Sequence, residues 1–250
     1  MGNLGKDNVD KLLELKTIIQ QEQNPYSLES LSELEGKSLY HGTIAEFEDV
    51  FLKKDKVDVF YGKKGTKDNG FGFYLTLNKE QAFEQGKRKQ AEYNLKNKIK
   101  KNNINTEIMV VEKKIDLHEV EKFFKNHQDK SYLLHKTLEI DEDYGKFIIN
   151  NRLGEEQLAL IIGEMHNIDN KYALIYGGMA DGKVGNLIQK YSDTITALTD
   201  DNAKSDYQQK FLEDFLIEVN KPLKTGKGSQ LSIHDNELFN LAIDVKDILK

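Results

Sequence analysis

The amino-acid sequence predicts an α+β fold, and three observations carry that prediction. Strand-type and helix-type segments follow one another in mixed order, with no repeating βα unit and no internal repeat. The 12 Phe and 11 Tyr, in a chain that is 38% hydrophobic and 31% charged, supply a core for a polar globular protein. The 250 residues allow a core domain with an appendage, and the apolar pattern breaks where the appendage should end, near residue 36.

Over residues 8–21, Val9, Leu12, Leu13, Leu15, Ile18 and Ile19 fall at helical spacing with charge on the opposite face, which predicts an amphipathic helix. Pro25 and the serines of residues 27–32 interrupt it, and Gly36 precedes the first strand. Residues 1–36 therefore read as an N-terminal helical extension and residues 37–250 as the main domain. A short strand is expected over residues 38–41, then a lysine-rich loop to Lys67 and an aromatic strand over residues 72–76. Asn78 caps a helix that begins at Lys79 and runs to about residue 101, with Ala82, Phe83, Ala91 and Leu95 among its apolar positions. The β-branched run over residues 107–112 predicts a strand. Two or three helices fill residues 117–168, a strand over 173–176 closes on Gly177 and Gly178, and residues 206–219 form a helix. The chain ends with a strand over 229–233 and a helix over 236–249.

Composition narrows the function classes. With no cysteine there is no disulfide framework and no thiolate metal site, which suits a reducing cytoplasm. The start Met1-Gly2-Asn3-Leu4-Gly5-Lys6 resembles a myristoylation signal but has Lys6 where that signal needs Ser or Thr. No apolar run has the length of a signal peptide or a bilayer span, so no membrane partner is expected. A net charge of -6 argues against indiscriminate coating of nucleic acid.

Two segments carry candidate chemistry. Leu39-Tyr40-His41-Gly42-Thr43 delivers a histidine and then a glycine, whose bare backbone lets a flat amide approach while the imidazole bonds a hydroxyl. A lone histidine beside a glycine is more often structural. Asp68-Asn69-Gly70-Phe71-Gly72-Phe73-Tyr74-Leu75-Thr76 puts two glycines before an aromatic strand, on which Tyr74 can offer its ring face to a cationic heteroaromatic. Alone, Phe73 and Tyr74 read as ordinary strand residues.

Together, in this order, the two segments resemble the His-Tyr type of the ADP-ribosyltransferase superfamily, and within it the bacterial DUF3990 family. Gln81-Ala82, the stretch Tyr172-Ala173-Leu174-Ile175-Tyr176-Gly177-Gly178-Met179-Ala180-Asp181, and Ser229-Gln230-Leu231-Ser232-Ile233-His234 extend the likeness. The resemblance implies a split β-sandwich with surrounding helices and a site for NAD⁺ as substrate, with no metal. It implies that His41 holds a ribose hydroxyl, that the Gly42 backbone reads the nicotinamide carboxamide, and that Tyr74 packs on the nicotinamide ring. Thr43, Gly72 and Phe73 would flank that pocket. Gln230 matches the position at which many of these enzymes carry a glutamate that bonds the nicotinamide-ribose 2′-hydroxyl. Glutamine keeps the hydrogen bond but not the charge, which points to a single transfer rather than polymer elongation; Asp235 and Glu237 are the nearby carboxylates that could assist, although acids at the start of a helix more often cap it.

The function implied is mono-ADP-ribosylation of a protein or nucleic acid by a bacterial toxin, effector or defence component. An NAD⁺ glycohydrolase, or a non-catalytic module of the same fold, are the other readings. The resemblance implies an acceptor-choosing loop at residues 220–228, whose three lysines and two glycines read equally well as a solvated loop. Lys53, Lys54, Lys56, Lys63, Lys64 and Lys67 could cover a pyrophosphate, and Lys87 to Lys101 is a basic helix; both are more often solubilising faces. The N-terminal helix would pack on the core, inhibit the site or bind a partner such as an antitoxin. His118, His127, His135 and His166 lack metal-site spacing, and no Rossmann glycine fingerprint is present.

Overall fold

The computed structural model describes residues 28–52, 57–60, 67–96, 106–135, 139–180, 184–221 and 228–249. The amphipathic segment over residues 8–21 lies outside them. The described chain begins with a 3-10 segment, Leu28–Leu34, whose Leu31 and Leu34 are fully buried in the main core, so that core reaches back before residue 36.

The α+β expectation holds. Seven strands form one mixed sheet: β1 (Leu39–Ile44), β2 (Phe73–Thr76), β3 (Ile108–Ile115), β4 (Ser131–Leu134), β5 (Tyr172–Gly178), β6 (Ser229–Ile233) and β7 (Ile243–Leu249). Their order is β4-β5-β6-β2-β1-β3-β7, with β4 and β5 parallel and all other neighbours antiparallel. The helices are α1 (Glu48–Leu52), α2 (Lys79–Lys96), α3 (Leu117–Asn126), α4 (Glu142–Leu153), α5 (Val184–Ala197), α6 (Asp201–Val219) and α7 (Asn236–Ala242).

Two cores lie against this sheet. On one face, Leu31, Leu34, Phe51, Val120, Phe123, Leu238 and Phe239 pack on the alternating strand residues Leu39, Phe73, Leu75, Val111, Leu174, Leu231 and Ile233. The second core joins α4, α5 and α6 to Ile175 of β5. Helix α2 covers β1: a Cβ at Gly42 would lie 1.6 Å from the Ala82 carbonyl oxygen, and one at Gly86 would lie 2.6 Å from Ile108. Two facing glycines thus let strand and helix backbones touch.

Three sequence expectations need correction. Residues 236–249 are not one helix; the helix stops at Ala242 and the chain continues as β7 on the free edge of β3. Ile243 is fully buried and Val245 and Ile248 partly so, and one extra residue, Lys246, absorbs the phase slip between the Lys113↔Val245 and Glu112↔Asp247 pairs. The region 117–168 holds a strand, β4, between two helices. The helix expected over 206–219 begins five residues earlier, at Asp201, where Asp200 caps it, and α5 precedes it.

Candidate functional site

Strands β1, β2 and β6, which carry His41, Tyr74 and Gln230, are adjacent in the middle of the sheet. The register sets Thr76 opposite Gln230 and Tyr74 opposite Ser232, so Tyr74, Thr76, Gln230 and Ser232 share one face. β1 meets β2 through a single pair, Tyr40↔Thr76. Continued by two residues, that register places Gly42 across from Tyr74, where the ladder has already ended. The seam runs between the two segments singled out by the sequence.

His41 points to the other face. Its ring stacks on Phe73 with centroids 4.3 Å apart and tilts over Phe51 at 5.5 Å. Nδ1 lies 2.8 Å from the Tyr74 carbonyl oxygen, so Nδ1 carries the hydrogen and Nε2 is left as an acceptor. Burial lowers its pKa from 6.5 to about 3, with the ammonium groups of Lys113, Lys67 and Lys89 acting in the same direction. The imidazole is therefore neutral and bridges β1 to β2 where main-chain pairing is missing.

The face bearing Tyr74 and Gln230 holds a polar network centred on residues 67–72. Asp68 is 4% exposed; its Oδ1 accepts from Arg152 Nε at 2.8 Å and Nη2 at 2.6 Å, and its Oδ2 accepts from the Ala180 N–H at 3.0 Å. Gln230 Nε2 donates to the same Oδ2 at 3.4 Å. The Asn69 N–H donates to the Tyr74 hydroxyl, which donates in turn to the Gly70 carbonyl at 2.7 Å. Burial, then the charge of Asp68, pushes the Tyr74 pKa well up, so it stays a phenol. A continuous chain of donors runs from Tyr144 hydroxyl to Asn69 Oδ1, Asn69 Nδ2 to Ser232, Ser232 hydroxyl to His234 Nε2, and His234 Nδ1 to the Phe71 carbonyl. Ser232 beside His234, at 2.9 Å, has the spacing of a nucleophile and its base, but both are fully buried. Their role is to hold the loop.

The remaining expected residues fall as follows. Thr43 is buried on β1 beneath Gly86. Gly72 lies against the His234 ring, where a Cβ would sit 2.5 Å from Nδ1. Phe73 belongs to the core beside Phe239 and His41. Asp235 caps α7 through the N–H groups of Glu237 and Leu238, and Glu237 faces His127 at 3.5 Å; neither is brought to Gln230. Lys67 places its ammonium 4.8 Å from the centre of the Tyr74 ring, on the surface assigned to a cationic heteroaromatic. Lys53, Lys54, Lys56, Lys63, Lys64, Asp181 and residues 222–227 lie outside the described residues, as does the end of the basic helix; within α2, Lys87 and Lys89 pair with Glu84 and Glu92. A cavity of about 580 Å³ opens at the end of β2, lined by Thr76, Asn78, Lys79, Glu80, Gly228 and Ser229. No metal-ligating cluster is found among the described residues, and no described helix is long and apolar enough to cross a membrane.

Sequence reasoning missed Asp68, Asn69, Tyr144 and Arg152 as members of this site. One signal was present: Asn150, Asn151 and Arg152 interrupt the apolar run Phe147-Ile148-Ile149 to Leu153, and polar groups within such a run must find buried partners. Asn151 bonds the Asp68 carbonyl, and Asn150 the carbonyls of Ile162 and Met165.

Among protein families, the model of DUF3990, described as a protein of unknown function, matches residues 37–225, and the chain belongs to that family. No curated protein and no solved structure matches it.

Proposed function

We propose that this DUF3990 member is a mono-ADP-ribosyltransferase that binds NAD⁺ at the seam between β1 and β2 and passes ADP-ribose to a protein or nucleic acid. The observation that carries the reading is the adjacency of β6, β2 and β1, with the His41 ring, bonded to the Tyr74 carbonyl, in place of main-chain pairs where the ladder lapses. A backbone edge without a strand partner is suited to an amide ligand such as nicotinamide. The seven strands form one sheet, and the single-pair joint between β2 and β1 is the place at which the split of a split β-sandwich would fall in this reading.

In this reading Tyr74 packs on the nicotinamide ring once the Lys67 ammonium moves off it, and the dinucleotide crosses the seam, so that the neutral His41 on the opposite face accepts a ribose hydroxyl at Nε2. Gln230 accepts the 2′-hydroxyl of the other ribose. The bond between C1′ and the nicotinamide nitrogen breaks with its electron pair leaving on nicotinamide, and the acceptor nucleophile bonds C1′ and loses its proton. Because the leaving group is already cationic, the protein's work is orientation and electrostatic stabilisation rather than acid catalysis.

The test is NAD⁺ labelled in the adenylate half, incubated with cell extract and the full-length protein, alongside measurement of nicotinamide release. A labelled macromolecule should appear, sensitive to either protease or nuclease, and His41→Ala should abolish it. Tyr74→Ala also removes the hydroxyl that pins Asn69 and Gly70, so Tyr74→Phe is the necessary control. Nicotinamide release without a labelled macromolecule identifies a glycohydrolase; no release and no NAD⁺ binding by calorimetry rejects the enzyme.

A further inference from the structure

We infer that Asp68 is a positioning residue for Gln230, supplying through the glutamine amide the negative charge that position 230 itself lacks; this rests on the ADP-ribosyltransferase reading. Four donors fix the Asp68 carboxylate or lean on it: two from Arg152, the Ala180 N–H, and Gln230 Nε2. The Tyr144 hydroxyl lies close enough to the Gln230 amide to lower the tyrosine pKa against the upward push of burial. Tyr144 is itself held by the Asn69 amide and the Gly178 carbonyl. With its nitrogen end turned toward Asp68, the amide turns Oε1 away from the carboxylate, as the end that can accept a hydroxyl.

The consequence is a relay. A ribose hydroxyl that donates to Gln230 Oε1 joins a chain of hydroxyl, amide and carboxylate, in which each hydrogen bond polarises the next. As the C1′ bond to nicotinamide lengthens, positive charge spreads over the ribose ring, and a fixed carboxylate one amide away, its Oδ2 toward Gln230 while Arg152 holds Oδ1, opposes it in a buried site. Asp68 and Gln230 gain and lose no protons in the step. The same geometry explains the glutamine. A glutamate at position 230 would set a second carboxylate about 3.4 Å from Asp68, and two such groups do not readily ionise together. Asp235 and Glu237, the acids nearest in sequence, are engaged at the start of α7.

The experiment uses the full chain and follows nicotinamide release from NAD⁺, NAD⁺ binding by calorimetry, and thermal melting. Asp68→Asn should lower kcat by about tenfold to a hundredfold while KM changes by less than about threefold, the split expected when only transition-state charge is lost. Asp68→Asn combined with Gln230→Glu returns a carboxylate to the site; kcat should recover by about tenfold and its pH profile should gain an acidic limb. Wild-type kcat in Asp68→Asn overturns the inference. So does a double variant no faster than Asp68→Asn although it melts normally and binds NAD⁺.

Should Asp68→Asn unfold the chain by stripping Arg152 of its counter-charge, Gln230→Glu alone decides. Beside an intact Asp68 its kcat must titrate with a carboxylate raised toward neutral pH, and a profile identical to wild type overturns the inference. Wild-type protein that neither binds nor cleaves NAD⁺ overturns the parent reading and this one together; an active wild type with unaffected variants overturns this one alone.

Discussion

At the residue scale, the ring of Tyr74 is contested. The Lys67 ammonium sits 4.8 Å from its centre, and burial followed by the charge of Lys89 lowers the Lys67 pKa to about 8. A cation over that ring competes with any cationic heteroaromatic for the same quadrupole. The N1-methylnicotinamide cation separates this effect from phosphate attraction, because it carries the charged ring and no phosphate. Lys67→Met should therefore strengthen inhibition by the N1-methylnicotinamide cation by about twofold to fivefold, corresponding to about 0.5–1 kcal/mol for a partly exposed cation–π contact. Unchanged or weaker inhibition in a turnover assay would show that Lys67 does not guard the ring. Neither the contest nor the Asp68 pairing was legible in the sequence: Lys67 read as one of six loop lysines and Asp68 only as the first residue of the glycine-containing segment, because solvated and buried charges look alike until a partner is placed beside them.

At the element scale, glycines decide how α2 lies on β1. The sequence reading gave Gly42 a ligand-facing task, whereas its Cα surface lies against the Ala82 carbonyl of the helix backbone. Gly42→Ala must push the helix from the strand, and a destabilisation of more than about 3 kcal/mol or failure to fold is expected, beyond the usual range for added methylenes because the obstacle is backbone rather than a movable side chain. Chemical denaturation measures it; a Gly42→Ala protein as stable as wild type would refute the packing. This substitution is accordingly no clean probe of NAD⁺ binding. β6 was readable to the residue, since Gln230, Leu231, Ser232 and Ile233 alternate polar and apolar side chains. β7 was not: after the Asp235 cap, Leu238, Phe239 and Ala242 continue a helical spacing, and only the open edge of β3 draws residues 243–249 into strand geometry. β4 was missed for the same reason, as four residues whose strand character depends on lying beside β5.

At the scale of the whole molecule, two apolar cores meet at a polar hub, and the hub is sensitive to acid. Burial lowers the His41 pKa to about 3 and that of His234 to about 4, from 6.5. Because the unfolded chain binds these protons more readily than the folded one, stability is full above pH 6.5 and is lost as pH falls toward those lowered values. Melting temperature should drop between pH 7 and pH 5, above the carboxylate range, and the drop should be shallower in His234→Gln; equal slopes would count against a neutral buried His234. The sequence by itself determined the α+β class, the order of the His41, Tyr74 and Gln230 segments, and membership signals that the family match over residues 37–225 sustains. These are properties of local pattern and of residues that stand out one at a time. Only the tertiary structure decided that β6, β2 and β1 lie side by side, that His41 turns to the face opposite Tyr74 and Gln230, and that Asp68 stands behind Gln230. Strand order, face and the burial of a charge all depend on contacts between residues far apart in the chain, such as Asp68 with Gln230, and a local pattern carries no record of which distant partner will neutralise a buried group.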